Sequence, residues 1–600
     1  MKSFGAPALA SALFCLAGAV HAEPDAPPKS QFGVPARASI ALYPERLTRS
    51  FYLPVRDGTK LAVSVTLPAR DGKVVEGRFP VIWQHTSQSI DKPGLTRNGE
   101  VKTPAGFAEF VSDYFALNEL TAHGYAVVTV VRRGIGASFG VRRGYHDRTE
   151  AYDAYDIVEW LARQPWSNGA VGMVGCSNIG EAVIQAVSVA PPHLKAVFAG
   201  CFSWNKYDGF LRGSGIVANW GSGPQATFEQ EMASSTPVET DSDRVQLRRA
   251  ITEHTQNTPL FDLLTGSPYR DSFSPLTLTR FMYEGSNATY RDQIRRSGIP
   301  IYIQAGWLDD FRRENFIAYA NLPPENRRLL IGPWTHCTHP DFPLMAEMLR
   351  WFDWKLKGVD TGLGKEPPIH YFTVNAPPEK AWKAAATWPV HADQQRFFLV
   401  GDGEYRLASE PRNATSTRFT VEYKWECAVK PAAPYAAHSC HPTSGAVTFT
   451  APPLTMDTEV TGHPVASLVI ISTAPQANLF VYLEDVAADG TVTVVSDGRQ
   501  RASMRKLDTP PYDNLDLPWH RGYAEDESPL QPGEPTEVVF DLLPVSWIFQ
   551  KGHRIQVSVA GSDPRERARQ ESSPPPTIEL LAGAAGRSSI TLPMVHADSR

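Results

Sequence analysis

Short apolar runs alternate with a helical pattern through the first half of the chain. Nearly every position is apolar in 79–84, 124–131, 171–176 and 194–200, as expected for strands that are covered on both faces. Residues 149–164 instead place apolar side chains three and four positions apart, which predicts a helix. Strands that alternate with helices predict a parallel sheet with helices on both faces.

The alternation breaks between residues 202 and 298. Aromatic and glycine-rich segments there give way to polar helical pieces such as 241–256. So long a stretch is not an ordinary loop inside a compact domain, and we predict a helical cap inserted over the active face. Apolar strands then resume at 299–306 and 327–332.

The sequence pattern predicts strands in the last third of the chain. Residues 466–473, 478–486 and 555–560 are strand-like runs, and we predict turns at Ala488-Asp-Gly490 and Ser496-Asp-Gly498, after the second run. His553 stands directly before the last run, and we interpret it as a structural residue. This part therefore predicts an all-β domain.

Composition and charge narrow the class of protein. The chain has 600 residues, of which 42% are hydrophobic and 20% are charged, as in soluble globular proteins of several domains. The net charge of −6 argues against a nucleic-acid partner. Lys2, the apolar run 8–19 and Val20-His21-Ala22 predict an export signal over 1–22. That run is too short to span a bilayer, so we expect a secreted or periplasmic protein without membrane insertion.

Five cysteines remain after the predicted cleavage. Cys427 and Cys440 lie close together in a strand-rich region, so they are candidates for a disulfide in an oxidising compartment. Cys176, Cys201 and Cys337 lie at or just after the ends of apolar stretches, and we interpret them as buried small hydrophobic residues. Cysteine and histidine spacings do not fit a zinc site, and we expect neither a metal nor a cofactor.

A serine stands where the strand 171–176 runs toward a helix that we predict over 181–190. Gly175 and Gly180 flank Ser177 in the spacing G-x-S-x-x-G, and small residues relieve the crowded backbone of such a turn. A serine on a strand-to-helix elbow is exposed above the sheet edge, and the first free N–H of the helix points at the group that it attacks. Alone, the motif is weak, because a Gly-x-Ser in a turn is usually only a turn.

Two more strand ends carry the residues that a serine nucleophile needs. Ser177, Asp309 and His336 each follow an apolar strand, where functional groups gather in parallel sheets. They occur in the chain order Ser, Asp, His. An imidazole with a pKa of about 6.5 suits removal of the serine proton, and a carboxylate fixes its tautomer. We therefore predict a catalytic triad, with Asp310 and His339 as the alternative carboxylate and base.

Several stretches resemble the family that contains the X-Pro dipeptidyl-peptidases, the cocaine esterases and the α-amino-acid ester hydrolases. The resemblance runs from about residue 46 to the C-terminus, and its ordered set of motifs is highly specific. The matching stretches are Arg133-Gly-Ile-Gly-Ala-Ser-Phe-Gly140, Gln164-Pro-Trp-Ser-Asn-Gly-Ala-Val-Gly-Met-Val-Gly-Cys-Ser177, Ala305-Gly-Trp-Leu-Asp309, Gly332-Pro-Trp-Thr-His336 and Trp351-Phe-Asp-Trp-Lys-Leu-Lys-Gly358.

The resemblance implies a fold of the α/β class. This is an α/β-hydrolase doubly wound sheet with an inserted helical cap and a C-terminal all-β jelly-roll domain. It also implies that Ser177 is the nucleophile, His336 the base and Asp309 its orienter. The expected division is an export signal at 1–22, an α/β-hydrolase domain at 23–201 and 299–362, the cap at 202–298 and the jelly roll at 363–600.

The chain departs from its relatives at the oxyanion hole. Relatives usually place a Tyr hydroxyl on the loop after the strand 79–84, and here Gln88 takes that position. We expect the backbone N–H of Asn178, and the side-chain amide of Gln88, to hold the oxyanion. Asn178 itself stands where relatives often have Tyr.

The sequence identifies the candidate triad more clearly than it identifies the substrate. Trp204, Trp307 and Trp334 are candidates for an apolar substrate pocket. An aminopeptidase instead needs carboxylates to hold a free α-amino group, and the candidates for these are Asp310, Glu181 and Asp208.

The function that we favour is an exported serine hydrolase that cleaves an ester or amide bond through an acyl-enzyme on Ser177. An X-Pro dipeptidyl-peptidase, releasing N-terminal dipeptides, is the alternative. A catalytically weak binding protein on a hydrolase scaffold is the alternative from another class. The expected partner is a small ester, an amide or a short peptide, and a homo-oligomer is left open.

Overall fold

The computed structural model describes most of the chain. The described residues are 32–34, 39–98, 114, 116–216, 226–401, 405–411, 415–425, 441–442, 444–563, 572–583 and 587–595. The predicted export signal lies outside the described residues, and so do Cys427 and Cys440, which were expected to pair.

A mixed sheet forms the centre of the first domain. Along the sheet the strand order is β12-β11-β10-β9-β8-β7-β4-β6-β2-β1-β5, with β3 paired to β2. Its strands are β1 (Glu45–Pro54), β2 (Lys60–Arg70), β3 (Lys73–Val74), β4 (Phe79–Thr86), β5 (Gly94–Arg97), β6 (Ala126–Val131), β7 (Ser167–Cys176), β8 (Leu194–Gly200), β9 (Ile301–Gly306), β10 (Arg327–Gly332), β11 (Ile369–Phe372) and β12 (Trp382–Ala385).

The seven strands from β11 to β6 in this order run parallel, and the strands at both edges are antiparallel. The predicted doubly wound sheet is therefore confirmed. The chain order reverses at β4, which lies between β6 and β7. In open α/β sheets, ligands bind beyond the carboxyl ends of the strands at such a reversal. This edge of the sheet is consequently where a functional site is expected.

The helices flank this sheet or lie in the cap. They are α1 (Arg148–Ala162), α2 (Asn178–Ser188), α3 (Lys206–Phe210), α4 (Arg212–Gly215), α5 (Phe228–Ser234), α6 (Val245–His254), α7 (Leu260–Thr265), α8 (Phe281–Glu284), α9 (Arg291–Ser297), α10 (Arg312–Asn321), α11 (Leu344–Lys357) and α12 (Pro378–Ala381). Helices α3 to α9 fall within the predicted cap. No helix of the described residues combines the length and apolarity needed to cross a membrane.

Alternate residues of the central strands enter two different cores. Val128 and Val130 of β6 pack in one core, and Val127 packs in the other. Successive side chains of a strand point to opposite faces, so a strand covered on both faces must be apolar nearly throughout. This explains the continuous apolar runs of the sequence.

The rest of the chain forms the predicted all-β domain. Its strands are β13 (Asp393–Gly401), β14 (Tyr405–Ala408), β15 (Thr415–Thr420), β16 (Ala446–Thr450), β17 (Thr458–Gly462), β18 (Val465–Ser472), β19 (Asn478–Val486), β20 (Val492–Arg501), β21 (Thr536–Asp541), β22 (Val545–Phe549), β23 (Arg554–Ala560), β24 (Thr577–Ala582) and β25 (Ser589–Val595). They enclose a separate apolar core. His553 Nδ1 donates a hydrogen bond to Asp485 Oδ1 of β19 at 2.8 Å, which fits the structural role expected for it.

Two sequence boundaries differ from the structure. The first sheet extends past residue 362, because β11 pairs with β10 and β12 pairs with β11. Helix α2 begins at Asn178 rather than at the predicted residue 181. The helix starts directly after the elbow, since Glu181 N already donates to Ser177 O at 2.9 Å.

Candidate active site

Ser177 occupies a sharp turn between β7 and α2. Its φ of 61° and ψ of −132° lie in a region that residues other than glycine rarely adopt. A Cβ atom on Gly175 would lie 2.5 Å from Ile179 O, and one on Gly180 would lie 2.5 Å from Gly200 O. The two glycines of the motif are therefore required by the close approach of the neighbouring backbone. The predicted elbow is the observed geometry.

Asp309 and His336 meet beyond the ends of β9 and β10. These strands are parallel neighbours, with Gly306 opposite Gly332, so the loops that follow them leave the same edge of the sheet. His336 Nδ1 lies 3.0 Å from Asp309 Oδ2. The alternative carboxylate, Asp310, is instead paired with Arg212 at 2.9 Å. The structure thus selects Asp309 as the carboxylate that contacts His336.

Asp309 and His336 are buried, and each favours the charged form of the other. Burial opposes the positive charge of His336, but the Asp309 carboxylate and its hydrogen bond raise the net pKa of His336 above its ordinary value. Burial likewise opposes ionisation of Asp309, yet His336, the Cys201 thiol and the backbone N–H of Phe311 hold the pKa of this carboxyl below its ordinary value. Asp309 is therefore an anion that stabilises a protonated imidazole.

A disulfide links the two sides of the site. Cys176 is bonded to Cys337, and their Cα atoms lie 5.9 Å apart. These residues are the immediate neighbours of Ser177 and His336, so the bond brings the elbow and the histidine loop together. The interpretation of Cys176 and Cys337 as simple hydrophobic residues is wrong. The two cysteines are 161 residues apart along the chain, so no local sequence pattern predicts that they pair.

Cys201 is the free cysteine of the described residues, and it is buried as expected. Its Sγ accepts a hydrogen bond from Cys337 N at 3.5 Å. The Cys201 thiol also hydrogen-bonds to the Asp309 carboxylate. It therefore contacts both the disulfide and the carboxylate of the pair.

Two clusters of potential metal ligands occur in the described part of the chain. One consists of the three cysteines, and the other of Cys201, Asp309 and His336. The first offers no pair of thiolates, because Cys176 and Cys337 share a disulfide. The second consists of side chains that already hydrogen-bond to one another. We assign no metal to either cluster.

The residues expected to hold the oxyanion, Asn178 and Gln88, follow β7 and β4, the neighbouring strands at which the chain order of the sheet reverses. Asn178 is the first residue of α2, and its side-chain Oδ1 accepts from Ser87 Oγ at 3.0 Å. Gln88 follows at the end of β4, and its backbone N–H donates to Thr86 Oγ1 at 3.0 Å. The Gln88 side chain is exposed. Both residues line the same cavity, of about 600 Å³.

The tryptophans expected at the substrate are core residues. Trp204, Trp307 and Trp334 expose 0%, 3% and 2% of their surface. Trp307 donates its indole N–H to Phe372 O at 2.5 Å, and Trp334 packs against Trp382. This burial contradicts the prediction that they form a substrate pocket. Their positions next to the catalytic loops suggested contact with substrate, but the side chains point into the packing below.

The carboxylates considered for an α-amino group are all paired with bases. Glu181 binds Lys206 at 2.6 Å and lies 3.4 Å from His146. Asp310 pairs with Arg212 at 2.9 Å, and Asp208 pairs with Arg270 at 2.7 Å. Sequence reasoning identified the acids but not their partners, which come from distant segments.

The all-β domain supports the Asp309 loop. Arg312, fully buried at the start of α10, donates from Nε to Pro544 O at 2.8 Å and from Nη1 to Asp309 O at 3.1 Å. The next residue, Arg313, donates from Nε to Asp541 at 2.7 Å. The Arg312 guanidinium thus joins the β21–β22 connection to the backbone of Asp309. No pattern along the chain indicated this contact.

Comparisons with known proteins identify the family of the chain. Residues 57–338 match the X-Pro dipeptidyl-peptidase (S15) family, and residues 361–591 match the X-Pro dipeptidyl-peptidase C-terminal non-catalytic domain. The chain is 30% identical over 616 residues to the "Putative serine esterase" of Mycobacterium bovis, with 91% of this chain and 95% of that protein covered. It is 25% identical over 557 residues to the cocaine esterase of Rhodococcus sp., with 85% and 90% covered.

Solved structures share the fold at lower identity. A CocE/NonD family hydrolase from Staphylococcus aureus matches with a TM-score of 0.68 at 19% identity, covering 91% of this chain and 93% of that one. An α-amino acid ester hydrolase matches with a TM-score of 0.65 at 18% identity, covering 97% and 100%. Together with the sequence matches, these findings show that the chain belongs to the X-Pro dipeptidyl-peptidase (S15) family and is a serine hydrolase.

Proposed function

We propose that the protein is an exported esterase that forms an acyl-enzyme on Ser177. The contact that carries this proposal is the 3.0 Å hydrogen bond between His336 Nδ1 and Asp309 Oδ2. The Cys176–Cys337 disulfide ties the residue before Ser177 to the residue after His336. Both contacts support a single site for the three side chains, which come from three separate strand ends.

The mechanism follows from the state of the pair. His336, oriented by Asp309, takes the proton of Ser177 while the serine oxygen attacks the ester carbonyl. The backbone N–H of Asn178, with the amide of Gln88, holds the oxyanion. Protonated His336 then gives its proton to the leaving alcohol. Water, deprotonated by His336, attacks the acyl-enzyme and releases the acid.

Charge pairing favours an esterase over an aminopeptidase. A free α-amino group is held by a carboxylate whose charge is available. Each of the three carboxylates considered for this role already neutralises a lysine or an arginine. Separating a buried pair leaves an uncompensated charge and costs about 3–5 kcal/mol, so an incoming ammonium group does not easily displace the resident base.

Export is part of the proposal. The predicted signal over 1–22 supports it, and so does the Cys176–Cys337 disulfide, because disulfides persist mainly in oxidising compartments. Fractionation of the native host provides the test. Activity in the cytosolic fraction, with the N-terminal segment still attached, would contradict export.

The catalytic assignment is tested with a fluorophosphonate probe and 4-nitrophenyl esters. We expect the wild type to be labelled on Ser177, and Ser177→Ala to lose labelling and about 10⁴–10⁶-fold in turnover. An Asp310→Asn variant is the comparison, because it removes a neighbouring carboxylate that pairs with Arg212 and is outside the proposed triad. Wild-type rates in Ser177→Ala would refute the assignment. A wild type without labelling would support the catalytically weak binding protein.

The dipeptidyl-peptidase alternative is tested in the same assay. Gly-Pro-4-nitroanilide and a 4-nitrophenyl ester of similar size are compared at equal concentration. We expect a large preference for the ester, since the ester has the better leaving group and the amine has no unpaired carboxylate among the three considered. A kcat/KM for the dipeptide anilide above that of the ester would replace the esterase by the peptidase.

A further inference from the structure

The cavity beside the oxyanion donors is unusually polar. It has a volume of about 600 Å³ and lies between the ends of β4 and β6 and the cap helices α5 and α6. This is the size of a pocket for a small molecule. Gln88 and Asn178 form the end next to Ser177, and Ile135, Arg142, Glu231 and His254 lie among the remaining lining residues. Such pockets are usually lined by apolar and aromatic side chains.

One charged residue of this cavity, Arg142, makes no direct side-chain contact with an anion among the described residues. Arg132 forms a buried ion pair with Glu150. Glu231 accepts hydrogen bonds from His254 and from the backbone N–H of Gly136, each at 2.8 Å. For the guanidinium of Arg142, the described residues provide neither an ion pair nor a hydrogen bond. Within the described part of the chain, Arg142 is therefore free to form a direct ion pair with a ligand.

Arg142 is held in place through its backbone. Its N–H donates to Asn257 Oδ1 at 2.7 Å, and Asn257 Nδ2 donates to Gly134 O at 2.7 Å. Asn257 thus joins both ends of the loop 134–142 to the cap. A fixed donor gains more from binding than a mobile one, because less freedom is lost.

The carboxylates of Glu150 and Glu231 only partly offset the effect of burial on Arg142. Burial, and after it the nearby Arg132, lower the pKa of Arg142 from its ordinary value, and the two carboxylates oppose this shift without cancelling it. A bound carboxylate would reverse both effects by supplying a negative charge and hydrogen-bond acceptors. Arginine also matches the geometry of a carboxylate, since its guanidinium donates two parallel hydrogen bonds.

We propose that this cavity binds the carboxylate of a substrate, so that the protein prefers esters carrying a second, free acid group, with Arg142 as the residue that determines this specificity. The inference rests on the proposed esterase function, because the carboxylate is placed relative to the Ser177 site. The free acid belongs either to the acyl part or to the alcohol part of the ester. The two arms of the experiment separate these sources.

The first arm compares mono-4-nitrophenyl adipate with 4-nitrophenyl hexanoate, which has an acyl chain of the same length. The second arm compares 4-acetoxybenzoate with phenyl acetate. Spontaneous hydrolysis is subtracted in each case. We expect one of the acids to exceed its neutral partner in kcat/KM by about 10- to 100-fold, as a charge-assisted hydrogen bond predicts. Equal or lower values for the acid in both arms would overturn the proposal.

Substitution of Arg142 tests the assignment to this residue. Arg142→Gln should reduce the ratio of acid to neutral ester to about one, and Arg142→Lys should restore part of it. Arg143→Ala is the matched control, because it removes an adjacent arginine that does not line this cavity, and it should keep the ratio. An unchanged ratio in Arg142→Gln would refute the role of Arg142.

A measurement on the wild type covers the case in which the variants do not fold. Adipate should inhibit competitively, and hexane-1,6-diol, which has the same chain length without a carboxylate or an ester, should inhibit about 10-fold less or weaker, whereas equal inhibition would contradict a carboxylate site. Failure of this inference differs from failure of the proposed function. In the first case neutral esters are hydrolysed and Ser177 is labelled without any preference for acids. In the second case no ester is hydrolysed.

Discussion

Removal of the disulfide beside the catalytic residues should affect both stability and turnover. The bond closes a loop of 161 residues, and the loss of that constraint raises the entropy of the unfolded chain by about 17 cal/mol/K, or about 5 kcal/mol at 25 °C. We therefore expect Cys176→Ala/Cys337→Ala to lower the free energy of unfolding by up to about 5 kcal/mol. Both cysteines are replaced together, since Cys201 Sγ lies within 4.8 Å of the other two sulfurs and would otherwise be free to pair with the remaining one.

Turnover should fall for a separate reason. The disulfide holds the neighbours of Ser177 and His336 with 5.9 Å between their Cα atoms, and a displacement of about 1 Å in a catalytic group can cost about 100-fold. We expect kcat to fall by about 10- to 100-fold with a smaller change in KM, measured with a 4-nitrophenyl ester at a temperature where the variant is folded. The wild type treated with reductant under mild denaturation should lose activity in the same way.

The double variant also serves as the control for reductant. Because it has no disulfide at this position, its residual activity should not respond to reductant. A variant with wild-type kcat would refute the positioning role, even if its stability were reduced. A variant with wild-type stability would refute the loop-closure reasoning.

Three further predictions concern the same site. Because the base must be neutral, the raised pKa of His336 places the acid limb of the kcat/KM profile above about pH 6.5. Asp309→Asn should move this limb to lower pH and reduce kcat by about 10⁴-fold. An acid limb at the same pH in this variant would contradict the assignment. Gly180→Ala should abolish labelling by a fluorophosphonate or unfold the protein, since its Cβ would lie 2.5 Å from Gly200 O. Gly144→Ala is the control for expression and labelling, because a Cβ there would make ordinary contacts at 3.8 Å and the backbone φ is not positive. Glu181→Gln should destabilise the protein by about 3–5 kcal/mol, because Lys206 is fully buried and would lose its partner. Denaturant unfolding should show that Glu181→Gln/Lys206→Met recovers part of this lost stability. No recovery in the double variant would argue against the ion pair as the cause.

Much of the fold and the central pair could be predicted because both depend on local patterns. The strands β8 and β10 were predicted with their observed ends, since buried parallel strands are continuous apolar runs. Ser177, Asp309 and His336 were predictable because each stands directly after such a strand. The parallel arrangement of β9 and β10 then brings Asp309 to His336.

The parts that could not be predicted depend on contacts between distant segments. The Cys176–Cys337 bond and the ion pair between Glu181 and Lys206 have no local signature. Trp307 was assigned to substrate because it adjoins Asp309 in the sequence, yet its side chain packs in the core. Position near a catalytic residue in sequence does not fix the direction of a side chain. The charge of Arg142 likewise becomes informative only when its surroundings are known.

The contact of Arg312 with Pro544 has a consequence for the biosynthesis of the enzyme. Ser177, Asp309 and His336 are all translated more than 200 residues before Pro544, whose carbonyl accepts from Arg312 Nε at 2.8 Å. Until the ribosome has passed that position, the guanidinium that contacts the Asp309 backbone lacks the Pro544 carbonyl as one of its acceptors. A nascent chain thus contains Ser177, Asp309 and His336 before the segment that supports the Asp309 loop has been synthesised.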